Sequence, residues 1–412
     1  MNRREFIKNS IIAAGGALFL GKTMEKGLLA AGSDDDKKKI AKLPRRKFNK
    51  ITLPLLGMGC MRLPVKDGKP DIKAFEKMTE YAMLHGLNHF DTAWPYHGGN
   101  SETALAEVLS SFKRESYTIS NKLTTWLINS KDDIKRYFET QLKKCRTKYF
   151  DLYLVHSLMG PSIETYRKQK IFEELLKYKE QGLIKNLGFS FHDRAEVLKD
   201  IVGEHPWDFC LLQINYLDWS LLKAREMYEI ATKARLPVLV MEPLKGGALC
   251  SLVPAAEKKL KENFPDESQA TFGLKWVAGR QNVSMMLSGM SNFEQLKENV
   301  DMFCNYKPLG KKGDTTAEEI VRIIQSSGEI PCTACRYCSD CPRGINIPAV
   351  FMAYNTYKKT GSRHKFVREA WDNLDEAERP DRCINCGLCM RRCPQKLEIP
   401  ELLSMILKEL GK

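Results

Sequence analysis

Apolar residues along this chain fall in short runs that alternate with longer stretches of helical spacing. From about residue 55 the runs are 55–61, 87–91, 117–122, 152–156, 186–190, 211–215, 237–242 and 285–289. Between them lie amphipathic stretches such as 133–142, where Ile134, Phe138 and Leu142 recur four apart and put apolar side chains on one helix face. Gly86 and Gly182 stand where helix C-caps belong, just before the next strand. Eight strand–helix units over residues 48–308 predict an α/β fold, a (β/α)8 TIM barrel. An open doubly wound sheet is the alternative. It usually carries a glycine-rich fingerprint after its first strand, and Gly57-Met-Gly59-Cys-Met-Arg62 lacks the third glycine.

Polar residues end five consecutive runs: Asp91, Ser120 with Lys122, His156, Ser190, and Gln213 with Asn215. In a closed parallel barrel every such end opens onto one mouth, where barrel enzymes assemble their sites. Singly, each has an ordinary reading as a helix cap, a solvated lysine or a hydrogen-bonded structural histidine. Five on one rim predict a site. Tyr96 follows Asp91 by five residues. A phenol titrates near pH 10 and is a poor acid unless a neighbouring cation stabilises the phenolate. Lys122, held by Asp91, would lower it. The phenol would then protonate a carbonyl oxygen as hydride reaches the carbon, with His156 orienting that oxygen.

These residues are familiar as a set. Residues 86–102, with Asp91-Thr92-Ala93, Tyr96 and Gly99-Asn-Ser101-Glu102, resemble the signature of the aldo-keto reductase superfamily. So do Ser120-Asn-Lys122, Asp151-Leu-Tyr-Leu-Val-His156, Gly188-Phe-Ser190, Pro243-Leu-Lys-Gly-Gly247 and Ser288-Gly-Met-Ser-Asn292. The resemblance spans residues 48–305. It implies Tyr96 as proton donor, Asp91 and Lys122 as its tuning pair and His156 as the orienting residue. It also implies NAD(P) across the barrel mouth, with Ser190 and Gln213 near the carboxamide and Glu298 and Asn299 near the adenine. Leu244, Lys245, Met290 and Gln295 fall in the remaining cofactor motifs. Three positions depart from the pattern: Phe191 replaces an asparagine, Met241 an aromatic, and Gly289 with Gln295 the basic residues that hold a 2′-phosphate. Lys245 is the compensating candidate, with a solvated loop lysine as its other reading. Trp94, Trp126 and Trp219 suggest an aromatic-lined substrate pocket.

Of thirteen cysteines, eight fall after residue 315 and change the picture there. Cys60, Cys145, Cys210, Cys250 and Cys304 are scattered, mostly in apolar segments, and read as small core residues. The other eight form two runs, Cys332-Cys335-Cys338-Cys341-Pro342 and Cys383-Cys386-Cys389-Cys393-Pro394. The second is the bacterial ferredoxin run, whose fourth cysteine ligates the other cluster. Crossed pairing gives Cys332, Cys335, Cys338 and Cys393 to one [4Fe-4S] cluster and Cys383, Cys386, Cys389 and Cys341 to the other. Zinc and disulfides are the competing readings. Thr316-Ala-Glu-Glu319 looks like a capping box that opens this unit. Residues 348–360 and 364–378 read as two helices, so residues 315–412 resemble an α-helical ferredoxin domain. Barrel first and cluster domain last resembles the iron–sulfur aldo-keto reductases of anaerobic bacteria.

The net charge of +14 is uneven, with residues 1–50 holding 13 Lys/Arg against 5 Asp/Glu. No aromatic-interleaved basic stripe supports nucleic-acid binding. Arg3-Arg4 with Phe6, the apolar run 11–20 and the small residues 29–32 resemble a twin-arginine export signal over residues 1–31, followed by a linker over 32–47. Gly16 to Thr23 fits the phosphate-loop pattern but sits in the signal core with no strand before it, so it is rejected. The expectation is an exported, periplasmic oxidoreductase that moves hydride between NAD(P) and a carbonyl or alcohol, with two [4Fe-4S] clusters, at least one, and an electron-transfer protein partner. A membrane enters only if the signal stays uncleaved. The competing expectations are a non-enzymatic electron-transfer subunit with a degenerate barrel and a cytoplasmic reductase.

Overall fold

The computed structural model describes residues 40–411, and the export signal, the false phosphate loop and residues 32–39 of the expected linker lie outside them. Eight parallel strands close into a barrel: β1 Leu56–Gly59, β2 His89–Asp91, β3 Thr118–Thr124, β4 Phe150–Leu158, β5 Ile184–Phe191, β6 Phe209–Gln213, β7 Val238–Met241 and β8 Val283–Ser288. Each falls on a run read from the sequence. Gly86 and Gly182 adopt φ +83° and +76°, as their C-cap positions require. The helix Lys131–Lys144 covers the amphipathic stretch and is opened by Ser130, in a capping box with Asp133.

Part of the expected linker is structured. Arg45–Phe48 pairs antiparallel with Ile51–Pro54, and the hairpin's Phe48 and Leu53, both fully buried, join the cluster inside the barrel formed by Leu152, Leu154, Phe209, Leu211 and Leu239. The Phe48 ring meets Phe209 edge-on at 5.5 Å. The charged letters Arg45-Arg46-Lys47 hid this strand because their side chains leave the core. Arg46 donates to the carbonyls of Arg280 and Val283 at the rim.

The capping box expected at Thr316 is absent. The helix begins at Gly310 and runs to Ser326, so Thr316 is buried within it. Its apolar face, Ala317, Ile320 and Val321, packs into the barrel core rather than the cysteine unit. That unit has its own core, built on Ile347, Phe351, Tyr354, Phe366, Leu403 and Ile406. Its first helix, Ile347–Thr360, matches the expected one. The second is short, Arg363–Val367, and passes into a π turn at Arg368–Asp372. No helix of the described residues is long and apolar enough to cross a membrane.

Candidate active site

The rim residues converge. Lys122, on β3, is 1% exposed, and its Nζ donates to Asp91 Oδ1 at 2.6 Å, to the Thr92 carbonyl at 2.8 Å and to the Tyr96 hydroxyl at 3.3 Å. Ser120 Oγ donates to the other Asp91 oxygen at 2.5 Å, and His89 reaches Ser120 Oγ at 3.1 Å. Both carboxylate oxygens are thus committed, which fixes the ammonium beneath the phenol. His156 lies across from Tyr96 with ring centroids 6.3 Å apart, and Trp126 lies 5.2 Å from His156. Trp94 and Trp219 pack elsewhere, on Tyr137 and on Trp276 with Tyr228.

The electrostatics correct one expectation. Burial is the largest influence on Tyr96 and, with Asp91 and Glu242, pushes the phenol well above its ordinary value. The phenol therefore stays protonated at neutral pH. His156 is pushed far below the usual imidazole range by burial, Lys122 and His192, and so is neutral. Burial also raises Glu242, against the opposing pull of Arg62 and Lys245.

Asp91, Tyr96, Lys122 and His156 line a cavity of about 730 Å³ that also takes in Ser190, Gln213, Leu244, Met290, Gln295, Glu298 and Asn299. Among the described residues, His156 Nδ1 and Asn299 Oδ1 are buried polar atoms without a hydrogen-bond partner, and both belong to this cavity. Such atoms fit a ligand rich in hydrogen-bonding edges. Lys245 is placed differently from expectation. It is fully buried, donates to Asp218 Oδ1 at 2.6 Å and to Gln395 Oε1 at 2.8 Å, and is not among the cavity residues. Arg62 lies instead against Gly289, where a Cβ would press on its side chain at 3.1 Å.

The eight clustered cysteines ring two separate spaces. Cys332, Cys335, Cys338 and Cys393 surround one, and Cys341, Cys383, Cys386 and Cys389 the other, which is the crossed arrangement. Four thiols and an apolar surround, including Ile347, Phe351 and Leu397 at the first ring, are the donor set an iron–sulfur cubane takes. Among the described residues, no three metal-binding side chains converge closely enough for a single ion. Gly387, at φ +69°, turns the backbone into the helix Leu388–Arg392 beside the second ring. The first ring adjoins the barrel mouth: Thr333, Cys335, Tyr337, Pro394 and Gln395 also line the large cavity. Gly246 permits the approach, since any side chain there would collide with the Thr333 carbonyl.

The aldo/keto reductase family model matches residues 55–313, more than half of the chain. The chain belongs to the aldo/keto reductase family. A 4Fe-4S dicluster domain model matches residues 331–398. Among similar proteins, an uncharacterized oxidoreductase of Bacillus subtilis is 28% identical over 68% of this chain and 95% of its own length. An NADH-specific methylglyoxal reductase of Escherichia coli is 23% identical over 61% of this chain and 90% of its own. An aldo-keto reductase of Citrus sinensis, named for (1S)-1,7-diacetoxy-luvungin A, is 30% identical over 66% and 86%. Solved aldo-keto reductases from Bacillus halodurans and Brucella melitensis share the fold at TM-scores of 0.57 and 0.54. They are 21% and 22% identical to this chain, cover 68% and 67% of it, and are themselves covered to 96% and 99%.

This aldo/keto reductase brings to its cavity residues that sequence reasoning passed over. Glu242 follows β7 directly and ends the apolar run 237–242, much as Asp91 ends 87–91, a signal that was there to find. Tyr337 and Gln395 had none, because their places depend on the cysteine unit folding over the mouth, and Arg62 had none because it meets Gly289 and Thr333 from far along the chain. Tyr337 meets Trp126 with ring centroids 5.9 Å apart, and Arg62 Nη2 donates to the Thr333 carbonyl at 2.8 Å.

Proposed function

We propose that this aldo/keto reductase uses NADH to reduce a small carbonyl compound at the barrel mouth. The observation that carries the reading is the buried chain from Asp91 through Lys122 to the Tyr96 hydroxyl, facing a neutral His156. When bound, the dihydronicotinamide supplies the hydride. Tyr96 holds a proton at its hydroxyl and releases it to the substrate oxygen. Lys122 stabilises the phenolate that this release leaves behind. Asp91 keeps the ammonium in place, and His156 donates to the same oxygen. Cavity walls that exclude water strengthen each of these interactions. Ser190 and Gln213 are the residues proposed to hold the nicotinamide end, with Glu298 and Asn299 at the adenine.

The preference for NADH rests on Lys245, whose charge is used by Asp218, on Gly289 and Gln295, which offer no guanidinium fork for a 2′-phosphate, and on Arg62, the guanidinium beside Gly289, whose Nη2 is engaged by the Thr333 carbonyl. The two cysteine rings are proposed to hold one [4Fe-4S] cluster each, supplying one-electron exchange with a protein partner. Export by the twin-arginine route to the periplasm remains part of the proposal and rests on Arg3, Arg4 and the apolar run behind them.

The test uses iron-loaded protein with NADH or NADPH and with methylglyoxal or 4-nitrobenzaldehyde. Loss of the reduced cofactor with matching alcohol is expected, with kcat/KM about tenfold or more in favour of NADH. No turnover with either cofactor, and no binding of either, overturns the reading. Turnover that favours NADPH overturns the cofactor preference alone.

A further inference from the structure

The cavity holds two glutamines 182 residues apart whose side-chain amides face each other. Gln213 Nε2 donates to Gln395 Oε1 at 2.9 Å, and Gln395 Nε2 donates to Gln213 Oε1 at 3.0 Å. Both are nearly buried, at 5% and 6% exposure. Charged neighbours fix the orientation of each amide. Asp218 Oδ2 must accept from Gln213 Nε2, at 2.7 Å, and the Lys245 ammonium must donate to Gln395 Oε1, at 2.8 Å. Asp218 and Lys245 are themselves an ion pair at 2.6 Å with no exposure.

A reciprocal amide pair is a planar ring with two edges. On one edge lie Gln213 Nε2 and Gln395 Oε1, and the Asp218–Lys245 pair takes both. On the other lie Gln395 Nε2 and Gln213 Oε1, side by side. A primary amide nitrogen carries two hydrogens and an amide oxygen two lone pairs. That second edge therefore retains one N–H donor next to one acceptor. Among the described residues no side chain or backbone group uses either. A neighbouring donor and acceptor are what another primary carboxamide offers in reverse.

We infer that Gln213 and Gln395 together form the surface that reads the nicotinamide carboxamide, with Gln395 supplying the donor. This rests on the proposed nicotinamide cofactor. Gln213 alone cannot donate, because Asp218 and Gln395 consume both of its hydrogens. The donor comes from the cysteine unit, two residues beyond Cys393. Reading the reactive ring of the cofactor is then shared between the barrel and the cluster-binding loop. Gln395 is a positioning residue in this account.

The test measures Kd by titration calorimetry on iron-loaded protein for NADH, for its 3-acetylpyridine analogue, which lacks the amide nitrogen, and for ADP-ribose, which lacks the ring. Gln395→Met removes the donor at similar volume. Gln395→Glu removes it while keeping acceptors for Gln213 and Lys245. The wild type is expected to prefer NADH over the analogue. Both variants are expected to bind NADH about tenfold more weakly and ADP-ribose unchanged, the loss typical of one buried hydrogen bond. Unchanged NADH affinity in both variants overturns the inference, as does equal weakening of NADH and ADP-ribose, which marks a general disturbance. If the wild type binds neither NADH nor ADP-ribose, the cofactor reading itself falls and takes this inference with it. Iron content separates a misfolded variant from a specific one.

Discussion

Asp91, Tyr96, Lys122 and His156 were legible because their chemistry is local. Each lies within two residues of a strand's end or follows one closely, and strand order alone puts them on one rim. What the letters could not reveal was the sum of burial over charge. Lys122 touches the Tyr96 hydroxyl, yet the phenol is held above its ordinary value, first by burial and then by the negative charge of Asp91 and Glu242. His89 shows the same rule. Burial is its main influence and drives its pKa down to about 3, with Lys122 adding to it. A histidine kept neutral in the fold takes up a proton on unfolding below about pH 6.5, so its stabilisation is complete above that value and is lost as pH falls towards 3. We expect the thermal midpoint of the wild type to fall through this window, and His89→Gln to flatten the fall while lowering the midpoint at pH 7.5. Parallel pH profiles for the two proteins contradict this origin.

At the scale of elements, all eight barrel strands were visible as apolar runs, and the boundaries that failed did so for physical reasons. The first strand of the hairpin, Arg45–Phe48, pairs through its backbone and sends only Phe48 inward, so its pattern reads as charge. The helix Gly310–Ser326 starts before the Thr316 signal, and Leu309, Ala317, Ile320 and Val321 along it pack on the barrel core. A capping motif states a local preference, and tertiary packing overrode it. The hairpin's role is measurable. Phe48→Ala empties space at the closed end of the barrel and should cost on the order of 3–5 kcal/mol. A denaturant midpoint that drops while iron content holds is the expected signature, and an unchanged midpoint shows that the hairpin is not a plug.

The whole molecule adds what no single element carries. The crossed grouping of the cysteines around two spaces was readable from the Cys-Pro spacing, but the approach of one ring to the barrel mouth was not, because it depends on contacts between residues more than a hundred positions apart. Cys393 leads within two residues to Gln395, whereas Cys341 belongs to the ring whose cysteines do not line the large cavity. Cys341→Ser and Cys393→Ser should each lower bound iron by about half, on the basis of one cubane per ring. Only Cys393→Ser should weaken NADH binding, and equal weakening by both contradicts the division between the rings. The reductase chemistry itself is tested most directly with NADH carrying deuterium at the transferred position of its ring and an aldehyde substrate, followed by mass spectrometry of the alcohol. Deuterium on the carbinol carbon, with turnover lost in Tyr96→Phe while iron and NADH affinity stay constant, is the predicted result. Alcohol without deuterium, or a phenylalanine variant as fast as the wild type, contradicts it.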